Sequence, residues 1–329
     1  MKFCRFQRKN GQKAIGLGCN DDRDIADLAP IYEKLKETDP SLEAYLFPNS
    51  LKTMIEDGDL AIAAARAVQR AVEGEAADSN GASAHIIPFA GTHIFAPVDD
   101  PQKFFAIAIN RHGGWDTAVK PDNPHATYFT KLPSCIVGPA DTVRIPDVGQ
   151  VGPEIELVIV IGKGGYDIPE EKALDHVFGY AVHNDITAHD MRKKTEWIRM
   201  NRADGSQEHL TYPGRYKNFD TFSPMGPWLV TPDEAPHPDE AVLDAWLNDD
   251  HVQHGTTAEH VFNAAHLISY LSRAHALKPG DIISTGTVGP VEPWTMATID
   301  LGKIGGTMRS SIEGLGSMAN PIEFVPGLK

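Results

Sequence analysis

Polar and apolar residues alternate at the start of the chain and then give way to a longer spacing. Residues 1–20 alternate on both sides of Gly11, which predicts two short strands joined by a turn at this glycine. Between residues 22 and 78, apolar side chains such as Ile25 and Leu28 recur at intervals of three or four, and Leu60–Val72 is rich in alanine. This spacing predicts helices.

From about residue 86 the pattern becomes one of short β-like runs between turns rich in proline and glycine. The clearest helix in this part is Ala258–Ala276, whose apolar positions share one face. Because strands and helices do not alternate regularly, we predict a β-rich α+β fold. The runs are His85–Pro88, Phe104–Ile109, Tyr128–Lys131, Glu154–Ile161, Val177–Asp185, Trp228–Val230 and Asp281–Ser284.

A segment of small and polar residues, 74–83, separates the helical pattern from the β-like pattern that follows. Segments of this composition often connect domains. We therefore predict a small N-terminal α+β domain at residues 1–82 and a larger domain at residues 83–329.

Composition narrows the classes of partner. The chain has 45 acidic and 30 basic residues among 329, a formal charge of −15, which argues against nucleic acid or an anionic membrane as the main partner. The three cysteines lie far apart, as expected of reduced thiols in a cytoplasmic protein. No apolar region follows the basic start, and the apolar run Leu157–Ile161 is too short to cross a bilayer, so we expect neither a signal peptide nor a membrane span.

Two carboxylates lie at the start of the most apolar strand, within residues 152–162. Glu154 and Glu156 are two residues apart and therefore share a face of the strand. The residues that follow are apolar on both faces, which indicates a buried strand. Two buried carboxylates repel each other unless a proton or a cation lies between them, and Mg²⁺ or Mn²⁺ prefers such oxygen ligands. The alternative is that both glutamates lie at an exposed strand end.

A second strand-like run, residues 179–190, carries Asp185 beside Asn184 where the strand gives way to a helix. A third carboxylate at this point completes an all-carboxylate metal site. The alternative is that Asn-Asp caps the N-terminus of the helix.

Four ordered motifs carry a resemblance to a known family: E-x-E-L-x-x-V-I-G-K from Glu154, G-Y-x-V-x-N-D at residues 179–185, K-N-F-D-T-F-S-P-M-G-P-W from Lys217, and P-G-D-I-I-S-T-G-T at residues 279–287. In these motifs, over residues 86–326, the chain resembles the fumarylacetoacetate hydrolase (FAH) family. The resemblance implies a catalytic domain with a mixed β-roll, a small N-terminal domain and a homodimer. It also implies Mg²⁺ or Mn²⁺ bound by the residues that match Glu154, Glu156 and Asp185.

The resemblance also implies roles for residues around the metal. Lys217 matches a lysine near the metal and the substrate and is expected to be catalytic. Lys131 matches the lysine of an F-x-K-P segment and is expected to bind substrate. Thr287 matches a residue that binds the substrate carboxylate through hydroxyl and backbone donors of the T-G-T turn, which includes Gly286. The simpler interpretations are a surface lysine, a lysine at a strand end and a threonine in a turn.

The chain departs from the family where hydrolases carry N-Y-x-x-H-x-x-E, whose histidine and glutamate activate water. Gly114 and Thr117 stand at those two positions. We expect His112 and Asp116 to replace them as the catalytic pair, on a loop that two glycines allow to close as a lid. The alternative is a base from elsewhere in the chain.

A second departure is His189, at a position where family members often carry arginine. Arg192, one turn further on, is the expected substitute in substrate binding. We also expect residues 193–215 to cover the site, with their arginines near the distal end of the substrate; the alternative is a solvated loop.

These residues together predict an enzyme that hydrolyses a C–C bond in a 2,4-dioxo acid of the acylpyruvate type. The 2-oxo acid chelates the metal, water attacks C4, and the ion stabilises the enolate that forms when the C3–C4 bond breaks. Lys217 and the T-G-T turn add electrostatic stabilisation. Two alternatives stay open: a decarboxylase, hydratase or isomerase with the same metal–enolate chemistry, which the missing dyad favours, or a non-catalytic protein that binds a 2-oxo acid.

Overall fold

The computed structural model describes residues 1–42, 44–73, 82–118, 120–122 and 124–327. Its first ten strands are β1 (Lys2–Gln7), β2 (Lys13–Cys19), β3 (Asp24–Asp27), β4 (Ile86–Pro88), β5 (Ile94–Phe95), β6 (Phe104–Ala108), β7 (Thr127–Thr130), β8 (Ile136–Val137), β9 (Val143–Pro146) and β10 (Val151–Gly152). The next eleven are β11 (Ile155–Ile161), β12 (Val177–Asn184), β13 (Thr187–Ala188), β14 (Trp197–Asn201), β15 (Gln207–Thr211), β16 (Ser223–Val230), β17 (Val242–Leu247), β18 (Asp250–Thr256), β19 (Ile282–Thr287), β20 (Gly306–Ile312) and β21 (Gly316–Val325). The α-helices are α1 (Leu28–Thr38), α2 (Leu51–Glu56), α3 (Asp59–Glu73), α4 (His189–Lys194), α5 (Ala264–Ala274) and α6 (Leu301–Ile304).

Most strands belong to one 12-stranded sheet with the order β4-β3-β2-β1-β16-β12-β11-β19-β6-β7, to which β5 and β8 are attached. A separate five-stranded sheet has the order β18-β17-β20-β21-β9. Parallel and antiparallel neighbours occur in both sheets, since β6 runs parallel to β19 and β9 runs parallel to β21. The predicted β-rich α+β fold is therefore confirmed.

The main sheet has an apolar core on each face, and β11 contributes to both. Its odd-numbered residues, such as Leu157 and Ile159, pack in the core shared with the five-stranded sheet and α5. Val158 and Val160 pack in the other core, against α1, α2 and α3. Full burial of an aliphatic side chain contributes about 1.5–3 kcal/mol, so this central strand is held firmly from both sides. The prediction of a strand buried on both faces is confirmed.

The N-terminal strands extend the main sheet. β1 and β2 form the predicted pair around Gly11, and β1 also pairs with β16, where Phe3 lies opposite Leu229. Helices follow as expected, but Ile25, predicted to be helical, lies in β3 opposite Gly18. Pairing with β2 here outweighs the local helical spacing. The division at residue 82 stays a prediction, because most of its boundary segment, residues 74–81, lies outside the described residues.

Each predicted β-like run after residue 85 corresponds to a strand, but the predicted helix Ala258–Ala276 is too long at its start. Asn263 caps α5 by accepting a hydrogen bond from the backbone N–H of His266 at 2.8 Å. The helix therefore begins at Ala264, and Val261 and Phe262 lie in the connection before it. The side-chain cap provided by Asn263 therefore sets the start of the helix.

Candidate active site

The antiparallel register of β11 and β12 brings three carboxylates together. Ile155 lies opposite Asn184, so the start of β11 meets the end of β12. One carboxylate oxygen from each of Glu154, Glu156 and Asp185 lies within 4.8 Å of the other two. Glu156 and Asp185 are buried, and Glu154 is largely so, which excludes an exposed strand end. The structure thus assembles the three predicted metal ligands.

Two buried lysines contact this cluster from connections outside the strands. Lys217 donates to Glu154 Oε2 at 2.8 Å and also contacts Asp185 Oδ2. Lys131, which follows β7, lies 2.5 Å from Asp185 Oδ1. Neither lysine is a surface residue, contrary to the simpler interpretation of Lys217. When all three carboxylates are ionised, the two ammonium groups leave one negative charge of the buried cluster without a balancing positive charge.

The electrostatics of the cluster show that it suits a cation. Burial raises the pKa of Glu156 to about 8, and the charge of Asp185 adds to this effect. Burial also opposes the charged form of Asp185, but the ammonium groups of Lys131 and Lys217 outweigh it and lower the pKa of Asp185. A proton on Glu156 therefore takes the place that a dication would fill. Oxygen donors of this kind fit Mg²⁺ or Mn²⁺.

Glu156 is held by β19, the strand on its other side. Its Oε2 accepts hydrogen bonds from Ser284 Oγ at 2.6 Å and from the backbone N–H of Gly286 at 3.0 Å. Gly286 has φ +104°, and a Cβ there would lie 2.9 Å from Asn110 Cβ, so only glycine fits the turn. The backbone donor expected to bind substrate is thus already used to fix Glu156.

The sequence reasoning missed His183, which extends this support. Its Nδ1 lies 2.7 Å from Ser284 Oγ and its Nε2 lies 2.7 Å from Ser223 Oγ. Burial lowers the pKa of His183 to about 3, so the ring is neutral. Since Ser284 gives its hydrogen to Glu156, His183 Nδ1 must be the donor and Nε2 the acceptor. A histidine inside the otherwise apolar run of β12 was the signal that could have revealed this chain.

Thr287 lies opposite Glu156 in the register of β19 and β11. Its hydroxyl oxygen accepts from Gln253 Nε2 at 3.1 Å, and Gln253 Oε1 accepts from the backbone N–H of Ile155 at 3.3 Å. Gln253, also missed by the sequence reasoning, is fully buried. It therefore fixes Thr287 next to the carboxylates. The threonine hydroxyl itself donates only a long hydrogen bond, 3.5 Å, to the backbone carbonyl of Val288.

The predicted catalytic pair lies in solvent. His112 Nδ1 is 3.5 Å from Asp116 Oδ1, and the two side chains are 62% and 59% exposed. Among the described residues, neither makes a hydrogen bond or ion pair with the three carboxylates. Their loop is nevertheless attached to the site, because Asn110 donates to the backbone carbonyl of Thr285 at 2.7 Å. The structure brings His112 and Asp116 together but not onto the carboxylates.

His189, the second departure from the family pattern, lies beside the carboxylate cluster. His189 is buried, and its Nε2 lies 3.9 Å from Glu154 Oε1 without a hydrogen-bond partner among the described residues. Burial lowers the pKa of His189. Arg192 is exposed and makes no hydrogen bond or ion pair within the described part of the chain. The structure therefore places His189, rather than Arg192, beside the carboxylates.

The segment expected to cover the site forms the β14–β15 hairpin, and residues before and after this hairpin border a cavity of about 420 Å³. The cavity is lined by Val148, Gly149, Asp190, Met191, Lys194, Thr195, Glu196 and Arg215. None of the three carboxylates lines it. The arginines have local partners, since Arg202 pairs with Glu208 and Arg215 Nη1 lies 3.6 Å from Glu196.

The β-rich α+β fold thus assembles three carboxylates and two buried lysines into a candidate metal site. The family model for the fumarylacetoacetate (FAA) hydrolase C-terminal region matches residues 109–323. The chain therefore belongs to the fumarylacetoacetate hydrolase family, and the expected mixed β-roll is confirmed.

Individual relatives differ in their reactions. Oxaloacetate tautomerase fahd2 of Xenopus laevis, named as mitochondrial, is 34% identical over 98% of this chain and 90% of its own length. Maleylpyruvate hydrolase from Sphingobium sp. SYK-6, solved with manganese(II) ion and pyruvate, has a TM-score of 0.67 and 28% identity, covering 98% of this chain and 99% of that one. The fumarylacetoacetate hydrolase of Exiguobacterium antarcticum has a TM-score of 0.72 and 26% identity over 99% and 100%.

Within the described ranges, no helix has the length and apolar character needed to cross a membrane.

Proposed function

We propose that this protein is a Mg²⁺- or Mn²⁺-dependent enzyme that hydrolyses a C–C bond in a 2,4-dioxo acid of the acylpyruvate type. The observation that carries the proposal is the buried cluster of three carboxylates and two lysines with surplus negative charge. Glu154, Glu156 and Asp185 are the proposed metal ligands. The likeness to a maleylpyruvate hydrolase solved with manganese and pyruvate supports this assignment.

The side chains around the cluster suit a small anionic substrate. When bound, the divalent cation supplies Lewis-acid stabilisation for the negative charge that develops on the 2-oxo group. Lys217 adds a fixed positive charge beside Glu154, and its buried ammonium is already held in place. Thr287, oriented by Gln253, donates its hydroxyl hydrogen to the substrate carboxylate. Lys131 holds Asp185 in the charged form.

Hydrolysis needs an activated water, which we assign to His112 and Asp116. Asn110 anchors the loop beside the T-G-T turn, and Gly113, at φ +85°, has no Cβ to restrict the backbone change that closure needs. In the closed loop, His112 takes a proton from water as its oxygen attacks C4. The C3–C4 bond then breaks, its electron pair remains on C3, and the proton returns to C3. The products are a carboxylic acid and a shorter 2-oxo acid.

One observation favours a second candidate, a tautomerase or isomerase. His112 and Asp116 are exposed, whereas His189 is buried 3.9 Å from Glu154, and its Nε2 has no hydrogen-bond partner in the described part of the chain. Proton transfer to or from C3 needs a base near the substrate but no activated water. The 34% identity to an oxaloacetate tautomerase over nearly the whole chain supports this candidate.

The two candidates are separated by offering two substrates to the protein in Mg²⁺ or Mn²⁺. Loss of acetylpyruvate absorbance with release of acetate and pyruvate supports the hydrolase. Faster decay of the enol absorbance of oxaloacetate, without CO₂, supports the tautomerase, whereas CO₂ release supports a decarboxylase. No metal-dependent change with either substrate would overturn both enzymatic proposals in favour of a binding protein.

Three further expectations belong to this proposal. Arg192 binds a distal anionic group of the substrate, the chain forms a homodimer, and the protein is cytoplasmic. Light scattering of the purified protein tests the dimer, and a monomer would contradict it. An unchanged KM in Arg192→Ala would remove that arginine from the site.

A further inference from the structure

A second group of ligand-type side chains lies far along the chain from the carboxylates, on the hairpin of β17 and β18. Asp244 Oδ1 is 2.8 Å from His251 Nε2 and 2.8 Å from His254 Nδ1. The three side chains are 24%, 36% and 56% exposed, respectively. They therefore form a compact group at the surface of the five-stranded sheet.

An irregularity in the hairpin creates this group. Residues three apart in a regular strand point to opposite faces, which would separate His251 from His254. In β18, however, Gln253 lies opposite Ala245 and His251 lies opposite Trp246, so Val252 has no partner. This bulge returns both imidazoles to the outer face of the sheet, where Asp244 lies. Val252 itself is buried in the core.

We propose that Asp244, His251 and His254 form a second metal site, selective for a transition-metal cation of the Zn²⁺, Co²⁺ and Ni²⁺ class. One ligand atom from each residue lies within 4.8 Å of the other two. Zinc bonds of about 2.0–2.2 Å at tetrahedral angles separate neighbouring ligand atoms by about 3.4 Å. Small side-chain rotations therefore bring the observed 2.8 Å contacts to a ligating geometry.

The imidazole rings of His251 and His254 can change from donating a hydrogen to Asp244 to binding a cation. Each imidazole nitrogen that faces Asp244 carries a hydrogen in the hydrogen-bonded state. A neutral ring that exchanges tautomers through solvent presents its lone pair to the cation and moves the hydrogen to its outer nitrogen. Both histidines are partly exposed, so water can reach these nitrogens and fill the remaining coordination positions.

Trp246 fixes one of the ligands and provides a reporter. Its ring stacks on His251 with a centroid distance of 4.9 Å and an angle of 18°. The guanidinium of Arg309, on β20, lies 4.1 Å from the Trp246 centroid. Trp246 thus lies between His251 on β18 and Arg309 on β20, its partners in the strand register. This stacking holds the ring of His251 in orientation before a cation binds.

The two groups differ in ligand chemistry and should select different ions. The three carboxylates offer only oxygen, which suits Mg²⁺ or Mn²⁺, whereas two imidazoles and one carboxylate suit Zn²⁺ or Ni²⁺. The second site is independent of the proposed catalytic function and does not require it.

The test uses the full-length protein saturated with Mg²⁺ and titrated with Zn²⁺ by calorimetry. We expect one Zn²⁺ site, and we expect Ni²⁺ at the same site to quench tryptophan fluorescence. His254→Ala and Asp244→Asn should each weaken Zn²⁺ binding by at least about tenfold, the lower end of what outer-shell changes alone cost. His237→Ala is the matched control, since His237 is 55% exposed and its nearest carboxylate, on Asp239, lies 4.0 Å away.

Three results would overturn the site. One is Zn²⁺ binding that is equal in the wild type and in both hairpin variants, which would mean that the three side chains only hydrogen-bond to each other. Another is Zn²⁺ binding that survives in the hairpin variants but disappears in Asp185→Asn, which would assign it to the carboxylates. The third is no Zn²⁺ binding to the wild type.

Discussion

The carboxylate cluster, expected to bind the metal, and the loop that carries His112, expected to be catalytic, are built differently. Glu156 lies in β11 and Asp185 directly follows β12; both are buried and held by partners such as Ser284 and Lys131. On the loop, by contrast, the side chains of His112 and Asp116 are exposed, although Asn110 and the backbone N–H of His112 attach the loop to the fold. Strand register fixes the positions of the carboxylates, as a metal site requires. His112 and Asp116, which are proposed to meet water and substrate, lie on a loop instead.

The largest effect is expected from Asp185→Ala. It removes the carboxylate that faces two buried ammonium groups, so we expect a loss of metal binding and activity and a fall in the free energy of unfolding of about 3–5 kcal/mol. Metal binding by calorimetry and chemical denaturation measure the two effects.

The matched control for this change is Asp175→Ala, because Asp175 pairs with Lys172 at 3.9 Å with both side chains about two-thirds exposed. An exposed pair contributes only about 0–1 kcal/mol. Equal losses of stability in the two variants would contradict the description of a buried charge cluster.

The variant His112→Ala tests whether the loop takes part in catalysis. As the general base, His112 should contribute about 10²–10⁴-fold to kcat for hydrolysis of a 2,4-dioxo acid, with metal binding and stability unchanged. Steady-state kinetics and a thermal melt check both parts. An unchanged kcat would remove His112 from the mechanism and favour the tautomerase, with His189→Gln as the next variant.

A smaller effect is expected from Ser284→Ala, which leaves Glu156 without a hydroxyl donor and His183 without an acceptor. Partners of metal ligands contribute about 10–100-fold to affinity, so the Kd for Mn²⁺ should rise by about that factor. Ser206→Ala, on an exposed turn, is the control. A wild-type Kd in Ser284→Ala would show that the chain through His183 does not support the site.

The smallest effect is expected from the pH at which Mn²⁺ binding is measured. In the metal-free protein, burial and the charge of Asp185 raise the pKa of Glu156 to about 8, so a cation must displace a proton below that pH. The affinity for Mn²⁺ should rise about tenfold per pH unit up to about pH 8 and then level off. An affinity that does not change between pH 6 and pH 8 would contradict the raised pKa.

Strands, buried faces and the acidic residues of the site were predictable from the sequence because they depend on local spacing. Glu154 and Glu156 stand out as charges at the start of an apolar run, and period-two alternation places them on one face. Ile25 was assigned wrongly because pairing with β2 decides its structure, and that pairing is not visible in the spacing.

Other parts of the site depend on contacts between distant segments and could not be predicted. The hydrogen-bonded chain from Ser223 through His183 to Ser284 joins β16, β12 and β19, which come close only in the folded sheet, where β11 lies between β12 and β19. The group at Asp244 depends on a single unpaired residue, Val252. The exposure of His112 likewise follows from how the loop is attached rather than from its residue types.

The most direct test is a crystal structure of the protein grown with Mn²⁺, in which anomalous scattering locates the ion. The structure described above predicts one Mn²⁺ at bonding distance from carboxylate oxygens of Glu154, Glu156 and Asp185, with coordination positions left for water or a 2-oxo acid. Mn²⁺ bound elsewhere, with these three carboxylates still paired only to lysines, would contradict it.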